Sequence, residues 1–196
     1  MRGALTSILV AVMVSTVGCS SGTDFKRPDP TTLQLGKTTE REIRERFGEP
    51  RREGSLIRNE KRVKTLSYSY AEAAPYVEKV SARAATFSFY EGTLVGHDYS
   101  SSFSDDKTNF EDSSVDRIKN GKTTSAQVID LLGTPTGEFI YPLAKLQDGR
   151  AYVYSYSRTD KGPFGSSLRI QQKTLVVNID ASGLVADVTL TTSAPK

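Results

Sequence analysis

The sequence predicts an α+β protein of two tandem units, each a short helical segment followed by a three-stranded antiparallel meander. A repeated helix-start motif, a repeated tyrosine-rich strand pattern and a repeated final hairpin carry that expectation. GKTT occurs at Gly36 and again at Gly121. Laying one copy over the other aligns GKTTEREIRERFGEPRRE with GKTTSAQVIDLLGTPTGE without a gap, and seven of 18 positions are identical. Average composition would give about one. Downstream, TLSYSY (65–70) answers YVYSYS (152–157), and ATFSFYEGTLV (85–95) answers LVVNIDASGLV (175–185) in the same order. Self-similarity that holds its order over a whole unit marks a duplication.

Each repeated residue has a structural task. Thr39 and Thr124 stand as helix N-caps, and Glu42 and Gln127 three residues on complete a capping box. Ile43 and Phe47, or Val128, Leu131 and Leu132, then fall on one helical face. Gly48 and Gly133 suit the left-handed conformation that ends a helix, and Pro50 and Pro135 prevent its continuation. Helices this short need a surface to lie on. Alternation supplies strands for it: Leu66, Tyr68 and Tyr70; Ala85, Phe87 and Phe89; Tyr152, Tyr154 and Tyr156; Leu175, Val177 and Ile179; Leu184, Ala186, Val188 and Leu190. Glu91-Gly92 and Ser182-Gly183 are turns between the last two strands of each unit. The units run over residues 33–103 and 115–193, with 104–114 as an acidic solvated linker. They are expected to pack on each other through a sheet face or shared edges.

GKTT also resembles the end of a phosphate-binding loop, but that loop needs a glycine five positions upstream so that backbone N–H groups wrap the phosphates. Thr31 and Asp116 occupy those positions. Lys37 and Lys122 are therefore read as solvated.

The N-terminus is read as a processing segment. Arg2 precedes a mostly apolar run over residues 4–17, too short for the roughly 20 residues that span a bilayer. It closes on Thr16-Val17-Gly18-Cys19, the one cysteine of the chain. This resembles the lipobox of bacterial lipoproteins, with Thr16 where an aliphatic residue is usual. The resemblance implies cleavage after residue 18 and lipidation of Cys19. With Ser20 and Ser21 following, it also implies export to the outer membrane. An unpaired cysteine in a secreted chain fits that role. Residues 19–32, rich in Ser, Thr, Pro and Asp, read as a flexible tether.

The stretch Ile118-Lys119-Asn120-Gly121-Lys122-Thr123-Thr124, followed by Val128, Leu131-Leu132-Gly133 and Pro135, is similar to the signature of the SmpA/OmlA (BamE-like) outer-membrane lipoproteins. The first unit matches it more loosely. Members support the machinery that inserts β-barrels into the outer membrane, and they carry one such domain where this chain has two. The two-unit plan is similar to that of β-lactamase inhibitor proteins. Both relatives imply a protein-binding module rather than an enzyme.

The residues agree with that implication. His97 is the one histidine, and no His/Cys set has metal-ligand spacing. His97 itself reads as a surface or edge residue. Asp105-Asp106 and Glu111-Asp112 lack the ligand alternation and central glycine of a calcium loop. No nucleophile–base pair is recognisable, so no catalytic, cofactor or metal site is expected. Of the tyrosines, Tyr68 and Tyr154 read as core, although tyrosines also suit binding platforms. The formal net charge is +3, unevenly spread: residues 37–64 hold ten basic against six acidic side chains, and 98–116 one against six. Arg51, Arg52, Arg58, Lys61 and Arg62 fall in an apparent loop and offer contacts for an acidic partner or anionic headgroups.

The expected function is a periplasm-facing lipoprotein, anchored in the outer membrane, that scaffolds another envelope protein. The alternative is an inhibitor of a β-lactamase-type or other periplasmic hydrolase. The export signal removes nucleic acid from the expected partners, and no small-molecule substrate is indicated.

Overall fold

The computed structural model describes residues 19–73, 79–161 and 168–193. The expected signal peptide, 1–18, lies outside the described residues. Within them the fold is mixed, with three short helices and one antiparallel sheet of nine strands. The strands are β1 (Cys19–Ser21), β2 (Arg52–Arg58), β3 (Lys61–Ala73), β4 (Lys79–Tyr90), β5 (Thr93–Ser101), β6 (Gly137–Ile140), β7 (Arg150–Lys161), β8 (Leu168–Ile179) and β9 (Val185–Ser193). The helices are α1 (Glu40–Phe47), α2 (Asp112–Val115) and α3 (Ser125–Leu132). From β3 to β9 the strands are neighbours in chain order, with β1 and β2 both pairing along β3.

Both expected capping boxes are formed. Thr39 accepts from the Glu42 N–H while the Glu42 carboxylate accepts from the Thr39 N–H, and Thr124 and Gln127 repeat the exchange. Such a cap contributes about 1 kcal/mol. Gly48 and Gly133 end the helices with positive φ, 76° and 80°, but with ψ of −156° and −168° rather than the left-handed helical value expected.

Antiparallel partners share a sheet face, so the register locates both helices. Phe87 lies opposite His97, His97 opposite Glu138, Glu138 opposite Tyr152, and Tyr152 opposite Val177. The α1 residue Ile43 packs with Leu66, Tyr68 and Phe87, and the α3 residue Val128 with Tyr154, Leu175 and Val177. Two cores therefore sit on one side of a single sheet. Each tyrosine read as core is buried and donates its hydroxyl to the carbonyl that ends the helix: Tyr68 to Gly48 and Tyr154 to Gly133, both at 3.0 Å.

Four readings are corrected. The stretch 51–64 is not a loop; it forms β2 and the start of β3, joined by a two-residue turn with positive φ at Asn59 and Glu60. Residues 19–32 are not a free tether. Cys19–Ser21 pairs with Ala71–Ala73, and Phe25 packs edge-on against Phe47 and Tyr99 at 6.3 Å. Arg83 donates to the Asp24 carboxylate and the Phe25 carbonyl, and Arg27 donates to the Pro135 carbonyl. Residues 104–114 are not a solvated linker, because Thr108 and Phe110 are buried and Phe110 belongs to the second core. His97 is not at the surface, being 6% exposed in β5. In the first three cases composition was polar while a few side chains or backbone pairs were committed to the body.

Candidate functional site

The sheet face away from the helices carries one row across eight strands: Gly54, Thr65, Ser88, Gly96, Phe139, Ala151, Asn178 and Asp187. After β6 the chain turns onto this face. A side-chain carbon added at Gly96 would stand 2.5 Å from Phe139 and 2.6 Å from Leu143, so the glycine admits the loop that follows β6. Ala144 in that loop is 1% exposed. Asn59 at the β2–β3 turn donates to the carbonyls of Pro142 and Ala144, both at 3.1 Å, and the Lys145 N–H donates to the Asn178 side chain at 3.3 Å. The loop thus ties one hairpin to the other across the sheet.

What remains open is a groove of about 500 Å³. Leu56, Arg58 and Asn59 line it from the first hairpin, Phe139 and Leu143 from the middle, and Val176, Asn178, Asp187 and Thr189 from β8 and β9. Residues from near both ends of the strand order meet here, so this face is concave. Lys145 pairs with Asp187 at 3.5 Å, Arg58 adds a positive charge at one end, and the rest of the lining is mixed apolar and neutral polar. That composition suits a protein surface with an apolar centre and hydrogen-bonding rim.

Beside the groove lies the join between the halves. Asp98 on β5 accepts from the Ser155 hydroxyl on β7 at 3.0 Å, and the Ser155 N–H donates to Thr136 at 2.8 Å. The other Asp98 oxygen is buried and meets no donor. Burial pushes the Asp98 carboxyl above the usual carboxylate range, against the Ser155 hydrogen bond. Burial, with Arg27 adding repulsion, pushes His97 down to about 4, so it is neutral at neutral pH. Among the described residues no group of histidine, cysteine and carboxylate side chains could hold a metal ion.

The join carries a pH prediction. An acid whose folded pKa lies above its unfolded value of about 3.9 loses stability as pH rises from that value through the folded pKa. Asp98→Asn keeps an acceptor for Ser155 and removes the ionisation. Its urea midpoint relative to wild type should therefore rise between pH 4 and pH 8. His97 titrates in both proteins and drops out of the difference. A pH-independent difference would count against a buried ionising Asp98.

The five basic candidates do not form one cluster. Arg58 stands opposite Lys61 and Ile57 opposite Arg62 at the hairpin tip, while Arg52 lies opposite Ser67 with Arg51 just before it. All five are exposed. Glu53, between them, is drawn to Arg44 at 2.6 Å and Lys64 at 3.3 Å, which fastens β2 to α1. The groove and the join were missed by sequence reading, because loop 141–149 gives no periodic signal and Asp98 stood in an acidic stretch.

Residues 108–189 match the family model described as the outer membrane protein assembly factor BamE domain. Among solved structures, the chain is similar to a candidate β-lactamase inhibitor protein from Streptococcus mutans, at 13% identity and a TM-score of 0.43. The match covers 82% of this chain and 91% of that one. No curated protein matches the chain. The match opens at Thr108, the buried threonine two residues before Phe110, so it includes part of the stretch read as linker. The chain thus carries, over residues 108–189, a domain of the BamE (SmpA/OmlA) family.

Proposed function

We propose that this chain is a lipoprotein of the outer membrane, anchored through Cys19 and facing the periplasm, that binds another envelope protein without catalysis. The binding surface is the concave groove, and the role is scaffolding in outer-membrane protein assembly or envelope integrity. The BamE domain at 108–189 is the observation that carries the reading. The groove supports it, since a preformed concavity of mixed character suits a protein partner better than solvent alone.

The reading includes a duplication of one unit. Phe25 and Phe110, Leu33 and Ile118, and Gly36 and Gly121 stand 85 positions apart. Gly36 donates to the Leu94 carbonyl and Gly121 to the Val185 carbonyl, both at 2.7 Å; Leu94 then donates to Thr38, and Val185 to Thr123. The same hydrogen bonds recur on equivalent residues, which favours two copies fused edge to edge through β5, β6 and β7.

The anchor decides what the basic residues face. Cys19 pairs with Ala73 at the far end of β3, and Lys61 begins that strand. At about 3.3 Å per residue the hairpin tip stands roughly 40 Å from the anchor, and Arg52 roughly 20 Å. With β3 standing upright on the anchor, the reading assigns Arg51, Arg52, Arg58, Lys61 and Arg62 to a partner and not to headgroups.

A photo-crosslinking residue placed at Leu56 or Val176 in intact cells should capture a specific envelope protein. The same residue at Ile129, exposed on the helix side, should not. Capture of only a second copy of the chain from the groove positions would overturn the scaffolding role.

A further inference from the structure

Among the described residues β2 pairs with β3 alone, and all seven of its residues are exposed. One side of its main chain therefore presents unpaired N–H and C=O groups, a template for another strand. The edge is held in shape at both ends. Glu53 is fixed by Arg44 and Lys64, and Asn59 is fixed by the Pro142 and Ala144 carbonyls. A rigid edge loses little entropy when a strand adds to it.

Its side chains select the strand. Alternation puts Arg52, Gly54, Leu56 and Arg58 on the groove face and Glu53, Ser55 and Ile57 on the other. Of the nearby acids, Glu49 and Glu53 are both engaged with Arg44, and Glu60 lies beyond the strand in the turn. Leu56 and Ile57 are 37% and 69% exposed. A second copy paired over the full strand, symmetrically about Ser55, is a poor occupant: that register sets Arg52 against Arg58 twice, and like charges directly opposite are destabilising.

We propose that β2 accepts an extended acidic segment of the envelope partner as an added antiparallel strand. That segment would carry carboxylates six positions apart, opposite Arg58 and Arg52, and an apolar residue opposite Leu56. The proposal rests on the protein-binding reading and names the segment recognised. It places that segment beside the groove, continuing the sheet that forms the groove's floor.

The test uses the full chain in detergent micelles and the fluorescein-labelled peptide Thr-Glu-Val-Val-Thr-Thr-Lys-Glu-Thr-Thr, read by fluorescence polarisation. Arg52→Glu with Arg58→Glu should weaken binding at least tenfold. The same double variant should bind a peptide with both glutamates changed to lysine at least tenfold better than wild type does, which also shows that it folds. N-methylation of alternate peptide amides along one edge should cost tenfold or more with no change in charge. Equal binding of the methylated peptide would overturn strand addition and leave charge attraction. No peptide binding by wild type would overturn the proposal, as would phosphatidylglycerol-vesicle binding lost in the double variant without peptide binding. Groove crosslinks that persist when the peptide fails would leave the scaffolding role standing without this recognition mode.

Discussion

Gly137→Ala should lower stability by about 3 kcal/mol, the upper end of the cost of overpacking, and should do so by prising the two halves apart. A side-chain carbon at 137 would stand 2.2 Å from the His97 carbonyl oxygen and 2.8 Å from the Asp98 Cα. Both are main-chain atoms of β5, and β5 is locked to β4 from Arg83–Ser101 to Tyr90–Thr93. On the other side Gly137 is locked to Val153. Relief therefore requires opening the short β5–β6 ladder, Gly96–Phe139 and His97–Glu138, which is part of the join. Gly121→Ala separates sterics from conformation. Gly121 has φ of 70° with no atom within 4 Å of the added carbon, so alanine there meets only the left-handed penalty of about 1–2 kcal/mol. Urea unfolding should show the larger fall for Gly137→Ala, and hydrogen exchange should speed up across β5 and β7 before it does in α1. A smaller fall at 137 than at 121 would mean that the join yields and is not the rigid centre of the sheet.

What sequence reading recovered and what it missed differ in physical range. The helix starts were legible because a capping box is complete within four residues, Thr39 to Glu42 and Thr124 to Gln127. The long strands were legible because one face of each is buried, so Leu66, Tyr68 and Phe87 alternate with polar neighbours. β2 was not legible: both its faces are exposed, which removes the alternation, and its turn uses Asn59 and Glu60 where glycine is the usual sign. Phe25 and Phe110 each sit alone in polar sequence, where a single ring packed on a core leaves no pattern. A signal was present all the same, since each stands eleven positions before its GKTT glycine. The groove depends on the loop after β6 folding back over Gly96, a contact between distant residues that no local pattern encodes. Of the proposed site, only the basic residues were visible, and the sheet divides them between a tip and a base.

The second large effect concerns the anchor. Cys19→Ser should move the chain from the membrane fraction to the soluble fraction almost completely. No helix among the described residues is long and apolar enough to cross a membrane, and in the proposed reading the acyl chains supply the attachment. Each buried methylene contributes about 0.8 kcal/mol, which makes one chain marginal and several together firm. A serine at 19 removes them while preserving the size and the β1 backbone. Unchanged fractionation would remove the anchor from the proposal, and with it the orientation that points the β2–β3 tip away from the bilayer. Inserting ten Gly/Ser residues between Cys19 and Ser20 tests that orientation separately. β1 begins at Cys19 itself, so under the proposed anchor the unaltered chain would have no slack between the acyl chains and the body. The insertion keeps the acyl chains and allows the body to rise by about 17 Å on average. Membrane fractionation should stay as in wild type, while crosslinking from Val176 to a membrane-embedded partner should fall. Crosslinking that is indifferent to the insertion would instead place the partner free in the periplasm, where height above the bilayer has no meaning for docking.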